Sequence, residues 1–411
     1  MPSILTMPER AQVCDDWLKI RLERVLPEIM RRENFDMWVV ICREYNEDPV
    51  YLTLVPSAAM SARRLSMLVF YDRGQEGVER LTVSRYGIKG FYRSVWEPEK
   101  VDQWQCLARV IRERNPQRIG INESDTFAFG DGLSATLKQK LLQVLGPEYI
   151  SRLHSAEKLA VGWLEKRTPE ELEVYPHIVA IAHQIIAEAF SNTVITPGVT
   201  TTTDVVWWMR ERIAGLKLQT WFQPSISIQR PKDSAYTESP VIHKGDLLHC
   251  DMGITYLGLN SDTQELAYVL RKGEEDVPPG LKQALAQGNR LQDILLGEFK
   301  EKRTGNEILA AALKKAREEG LKPSIYTHPL GFHGHAAGPT IGLWDKQDGV
   351  PGAGDYPLYF DTGFSIELNV LANVAEWGNK EIQIALEEDV VYTSSGIYFL
   401  DGRQTKYYLI K

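Results

Sequence analysis

Cysteine is scarce. Four residues in 411, Cys14, Cys42, Cys106 and Cys250, lie far apart and never in CxxC spacing. That excludes a disulfide scaffold and a zinc ribbon. No apolar run reaches the roughly 18 residues that a membrane span needs. The opening MPSILTMPERAQVCDDWLKI lacks the apolar stretch behind basic residues that marks a signal peptide, so the chain reads as cytoplasmic. Excess positive charge is missing as well: 47 Lys and Arg stand against 55 Asp and Glu, a formal charge of −8. Neither nucleic acid nor an anionic membrane is an expected partner. There is no phosphate-binding glycine loop, no internal repeat and no low-complexity segment. What is there is ordinary globular composition, 43% hydrophobic and 25% charged, long enough for two or three domains at about 150 residues each.

Residues 1–160 alternate helical and strand patterns and read as a smaller α/β domain. Leu18, Leu22, Val25 and Ile29 recur at helical spacing, with a kink or early break expected at Pro27. Met37–Cys42, Ser66–Tyr71 and Arg118–Asn122 read as strands, and 101–114 and 133–145 as helices. A boundary is expected near 160–168, leaving 161–411 as a second domain. There Thr168-Pro-Glu-Glu171 is a helix start, with Pro176 predicting a kink or a late start. Thr201 with Asp204 and Thr304 with Glu307 mark two further starts. Strand patterns cover 224–229, 247–270, 364–370 and 380–393. Helices grouped around long antiparallel hairpins predict an α+β fold for this domain.

Four acids stand out on those strands because a carboxylate facing a core demands a partner. They are Asp251, Asp262 eleven residues later on the return of the same hairpin, Glu367 between apolar neighbours, and Glu387. A hairpin folded midway can set Asp251 and Asp262 opposite each other, where bare carboxylates repel. Each acid alone reads as a solvated strand residue. Three of the eight histidines, however, sit in one glycine-rich segment, THPLGFHGHAAG at 327–338. Four carboxylates and one imidazole suit two divalent ions such as Mn²⁺, Co²⁺, Fe²⁺ or Zn²⁺, and the charges cancel. Two such ions acidify a shared water and clamp an oxyanion.

The order and spacing of these residues resemble the pita-bread metallopeptidases, which include methionine aminopeptidase, Xaa-Pro aminopeptidase and prolidase. The matching phrases are Asp251-Met-Gly253, Ser261-Asp-Thr-Gln264, His328 with His335 seven residues on, Ile366-Glu367, and Glu387-Glu-Asp-Val-Val-Tyr-Thr393. The N-terminal 160 residues are similar in layout to the creatinase/prolidase-type N-terminal domain. The resemblance implies a C-terminal pita-bread fold, Asp251, Asp262, His328, Glu367 and Glu387 as metal ligands, and Glu367 and His335 as catalytic groups. It further implies a homodimer that hydrolyses a C–N amide bond in a short peptide or small amide, as a Xaa-Pro-type aminopeptidase or dipeptidase.

Departures from the family pattern fall on groups that orient substrate. A usual upstream His falls near Ser234, an Arg two residues before the last Glu is Ala385, and a His four before the metal His is Ser324. Two rival readings follow: a creatinase-like hydrolase of a non-peptide amide or amidine, and a catalytically silent binding protein on the same fold. His333 is a candidate substrate contact. His243 and His249 read as structural, and Trp207, Trp208 and Trp221 as core residues, with the lining of an apolar pocket as the alternative.

Overall fold

The computed structural model describes residues 3–411. The chain forms two compact units: residues 5–168, and residues 169–411 together with Ser3 and Ile4.

The first unit is built on a six-stranded mixed sheet ordered β4-β3-β2-β1-β5-β6. Its strands are β1 (Met37–Arg43), β2 (Leu65–Asp72), β3 (Val78–Thr82), β4 (Arg93–Ser94), β5 (Ile119–Ile121) and β6 (Leu153–Ser155). The central β1 is apolar on both faces and buried along all but its last residue, as a doubly covered strand must be. The helix Gln103–Arg114 supplies Cys106, Leu107, Val110 and Ile111 to the core beneath it. It is capped by Asp102, whose carboxylate accepts from the N–H groups of Trp104 and Gln105. The break expected at Pro27 does not occur. Helix Met7–Ile20 passes through a π-turn, Arg21–Val25, into helix Leu26–Arg32, whose first turn holds Pro27. The wider turn absorbs the hydrogen bond and the space that the ring denies a regular helix.

The second unit carries a nine-stranded sheet whose main path runs β12-β14-β15-β11-β8-β7. These strands are β7 (Ser225–Gln229), β8 (Leu247–Met252), β11 (Thr263–Val269), β12 (Pro323–Ile325), β14 (Thr362–Val374) and β15 (Lys380–Thr393). Between β8 and β11 a small ribbon forms from β9 (Thr255–Tyr256) and β10 (Leu259–Asn260). Strand β13 (His328–Leu330) pairs with β14, β16 (Gly396–Phe399) with β15, and β17 (Tyr408–Ile410) with β11. Helix Pro169–Ala189 starts at its first predicted residue and runs through Pro176, so the late start is not seen. Thr201 with Asp204 and Thr304 with Glu307 form the two predicted capping boxes. Among the described residues no helix is long and apolar enough to cross a membrane.

The long hairpin β14–β15 sets the two faces. Phe364, Ile366, Leu368 and Val370 enter the core cluster that helix Pro279–Leu296 covers. With a period of two, Ser365, Glu367 and Asn369 point the other way. The hairpin expected over 247–270 is corrected in register. Gln264, not Asp262, lies opposite Asp251, because the inserted ribbon leaves Asp262 just before β11 rather than on it.

Candidate metal centre

One row of side chains crosses four strands. Glu367 pairs with Glu387, Glu387 with Gln264, and Gln264 with Asp251. Cross-strand partners share a face, so three acids and an amide project together. Asp262 comes in two residues ahead of Gln264, and His328 comes in from β13, where it pairs with Ser365. Donor atoms of Asp251, Asp262 and Glu387 lie within 4.8 Å of one another. The same holds for His328, Glu367 and Glu387, and for Asp262, His328 and His335. His328 Nε2 stands 3.4 Å from Glu387 Oε1, 3.5 Å from Asp262 Oδ2 and 4.0 Å from Glu367 Oε2.

A second layer fixes these groups. Ser365 Oγ lies 2.8 Å from Glu387 Oε1 and 3.1 Å from the Asp262 carbonyl oxygen, a bridge between the two. The carboxylate of Asp389 accepts the backbone N–H of Asp262 at 3.1 Å. Gln264 Nε2 donates to Glu367 Oε1 at 2.6 Å, while Gln264 Oε1 lies 2.8 Å from His249 Nε2. His249, read from sequence as structural, thus anchors the amide that orients Glu367. His328 Nδ1 is 3.0 Å from the Pro329 carbonyl oxygen, which holds that nitrogen protonated and turns Nε2 toward the acids. Glu388 faces the opposite side, where its Oε2 meets His183 Nε2 at 3.3 Å.

Burial and mutual repulsion mark the cluster electrostatically. Burial raises the pKa of Asp251, Asp262 and Glu387, and neighbouring carboxylates raise Asp262 and Glu387 further. Glu367 is pushed up to about 9 by burial and by the charge of Glu387. Burial opposes a charge on His328, but Asp262 and Glu387 overrule it and hold its pKa well above the ordinary value. Two polar atoms in the cluster, Asp251 Oδ1 and His328 Nε2, are buried without a hydrogen-bond partner. Leaving such atoms orphaned is costly. Crowded carboxylate oxygens with one imidazole nitrogen are the donor set that divalent cations take, so the residues fit a metal.

The acids open into a cavity of about 140 Å³, lined by Asp251, Asp262, Glu367 and Glu387 and walled by Trp221, Phe222 and His335. Trp221 was read as core; it lies on a loop and forms this wall. Its indole donates to the Ser261 carbonyl oxygen at 3.0 Å and is slotted between two glycines. A Cβ on Gly253 would sit 2.3 Å from Trp221 Nε1, and one on Gly334 would sit 2.2 Å from its ring carbons. The His335 ring packs edge-on against Trp221 and His328, with centroids 5.2 and 4.6 Å away. Desolvation of that ring and the charge of His328 push its pKa down to about 4. His333, the candidate substrate contact, lies in the same loop but is not among the residues lining the cavity. Trp207 is exposed and Trp208 half-buried on their helix. Ser324 and Ala385 both pair with Asn369, one strand step beyond Glu367.

The profile of Metallopeptidase family M24 matches residues 177–400. The chain is similar to the X-Pro aminopeptidase of Thermotoga maritima MSB8, with a TM-score of 0.63 and 16% identity, covering 93% of this chain and 99% of that one. It is similar to the Xaa-Pro dipeptidase of Bacillus anthracis, at 0.61 and 16%, covering 95% and 99%. The N-terminal domain of the FACT complex subunit SPT16 from Cicer arietinum aligns at 0.59 and 11%, covering 96% and 99%. No curated protein matches the sequence.

Proposed function

The chain belongs to metallopeptidase family M24, with the pita-bread fold of that family, and from that premise we propose that it cleaves a Xaa-Pro-type amide bond in a short peptide using two divalent ions. In this reading Asp251, Asp262, His328, Glu367 and Glu387 would together hold the two ions. Mn²⁺, Co²⁺, Fe²⁺ and Zn²⁺ all suit the donors. When bound, such a pair supplies Lewis acidity and lowers the pKa of a shared water.

The residues divide the remaining work. Gln264 Nε2 occupies Glu367 Oε1, which leaves Oε2, on the His328 side, to take the proton of the attacking water. His335 stands at the cavity wall as a neutral imidazole, so its N–H steadies charge developing on the scissile carbonyl oxygen or passes a proton to the leaving nitrogen. Trp221 and Phe222 exclude water on that side and present apolar surface to a ring such as that of proline.

The observation that carries this reading is the convergence of five donor residues, two of which, Asp251 and His328, hold buried atoms without a hydrogen-bond partner. A shared fold does not by itself carry an activity, so the reading rests on the donor set. The test is metal content by elemental analysis together with turnover of a Xaa-Pro dipeptide panel. Two ions per chain and Xaa-Pro cleavage are expected. Two ions with no turnover of any peptide would favour a non-peptide amide, and a chain that takes up no metal would overturn the reading.

A further inference from the structure

The face that carries Glu367 and Glu387 does not end at the metal centre. Asn369 and Leu371 continue it along β14, about 7 and 14 Å beyond Glu367 at strand rise, and Gln383 pairs with Leu371 on β15. Here a second hollow opens, about 590 Å³, much larger than the cavity over the acids. Tyr326 and Asn369 form its wall toward the centre. Asn369 Nδ2 donates to Tyr326 Oη at 3.1 Å, and Tyr326 N–H donates to the Glu367 carbonyl oxygen. The hollow is therefore continuous in structure with the strand that bears the proposed base.

Its chemistry is one-sided. Arg317, at the end of helix Gly305–Glu318, Ser324, Trp344 and Gln383 also line it. None of these four side chains makes a hydrogen bond or ion pair among the described residues, so their donors are unspent. Trp344 is 79% exposed, an unusual setting for an indole unless something packs on it. The other cation at the rim, Lys322, is already paired with Glu381. Arg317 remains as an uncompensated positive group in a groove of neutral donors.

We propose that this groove binds the carboxylate-bearing end of the substrate, with Arg317 as its charge partner and Trp344 as its apolar side, so that the enzyme acts on peptides extending about three or four residues beyond the scissile bond, at about 3.4 Å per extended residue. The proposal rests on the peptidase reading above. A dipeptide would leave the groove empty. Ser324 and Ala385, the strand partners of Asn369, are both short side chains on the stretch between the acids and the groove.

The test separates the two readings. Binding of the pentapeptide Ala-Ala-Ala-Ala-Ala, which extends four residues beyond its first peptide bond, and of its C-terminal amide to the metal-loaded enzyme is measured by calorimetry for the wild type, Arg317→Met and Arg317→Glu. The free acid should bind about fivefold more tightly than the amide, the upper range for an exposed charge pair. That ratio should fall to about one in Arg317→Met and invert in Arg317→Glu. Equal binding of acid and amide by the wild type, or no binding of either, would overturn the groove assignment whatever the enzyme hydrolyses. Turnover of Xaa-Pro-Ala-Ala as acid and amide, read as kcat/KM, should show the same ratio. An acid preference in binding without turnover of any peptide would leave the groove standing and sink the peptidase reading.

Discussion

Asp48 and Asp262 are both buried aspartates, at 1% and 3% exposure, and the two units treat them in opposite ways. In the first unit Asp48 accepts from the Val50 N–H at 3.0 Å and from Asn122 Nδ2 at 2.8 Å. Asn122 in turn accepts from the Trp38 indole at 2.7 Å. Each partner is neutral and local, and the network closes on itself. In the second unit the carboxylate of Asp262 faces a histidine and three more acids, and two buried atoms of that group, Asp251 Oδ1 and His328 Nε2, have no hydrogen-bond partner. A buried acid with neutral donors holds a loop. A buried acid among other acids holds a charge that the chain does not supply. The distinction matters because burial alone raises both, Asp48 to about 6.

Mutation should break the comparison most visibly. Asp251→Ala or Glu387→Ala is expected to abolish hydrolysis and strip metal, measured by turnover and elemental analysis. Asp48→Ala should leave metal content intact and instead cost about 1–3 kcal/mol of folding stability, since it orphans buried donors. His335→Ala should lower the rate about 10²–10⁴-fold with metal still bound; loss of metal in that variant would show that His335 is a ligand.

Chelation comes next. A cation that binds only the folded form stabilises it by about 2.7 kcal/mol at one hundred times Kd. In a unit of this size that is about 5–10 °C in Tm, confined to the transition of residues 169–411. A matching shift in the transition of residues 5–168 would contradict the contrast. The response to pH sharpens it further. Asp251, Asp262, Glu367 and Glu387 have folded pKa values raised above their unfolded ones, so the folded state binds the extra protons. The stability this gives the metal-free protein is complete below about pH 4 and is lost as pH rises through about 9, the value of Glu367. Melting at pH 5.5 and 8.5 should therefore show the metal-free second unit weaker at the higher pH, and Mn²⁺ or Co²⁺ should reverse that order. The smallest expected effect is Thr304→Ala, which removes one capping box at about 1 kcal/mol, read by denaturant melting.

Much of this was legible before any coordinates. Helix starts were, because Thr201–Asp204 and Thr304–Glu307 satisfy their backbone N–H groups from within four residues of chain. The acids were, because Glu367 stands between Ile366 and Leu368 and because the order and spacing of all four with His328 match one pattern. What escaped depended on register and on distant partners. Gln264 took the place opposite Asp251 because the length of the β9–β10 ribbon, not the hydrophobic pattern, sets which residues face each other. His249 orients Glu367 only through Gln264, a contact no local spacing encodes. Trp221 looked like a core residue because its two glycine neighbours in space lie 32 and 113 positions away in the chain. The π-turn before Pro27 shows the same limit. The sequence signals that something must give, and the packing decides what does.

The slot around Trp221 has a consequence for how such a chain can drift. With the indole wedged against the backbone at Gly334, that glycine cannot gain even a methyl group unless the ring shrinks or leaves, whereas Gly253 is closed by the Ser261 carbonyl oxygen as well and stays closed whatever stands at 221. Positions 221 and 334, on two separate segments, are thereby tied into one heritable unit. A single step at 334 is closed, and a smaller residue at 221 has to come first. In collections of related chains, bulk at 221 should vary inversely with bulk at 334, while 253 stays glycine. Lineages that have lost the large ring would be the ones free to reshape the wall of the cavity, and with it the side chains that the site admits.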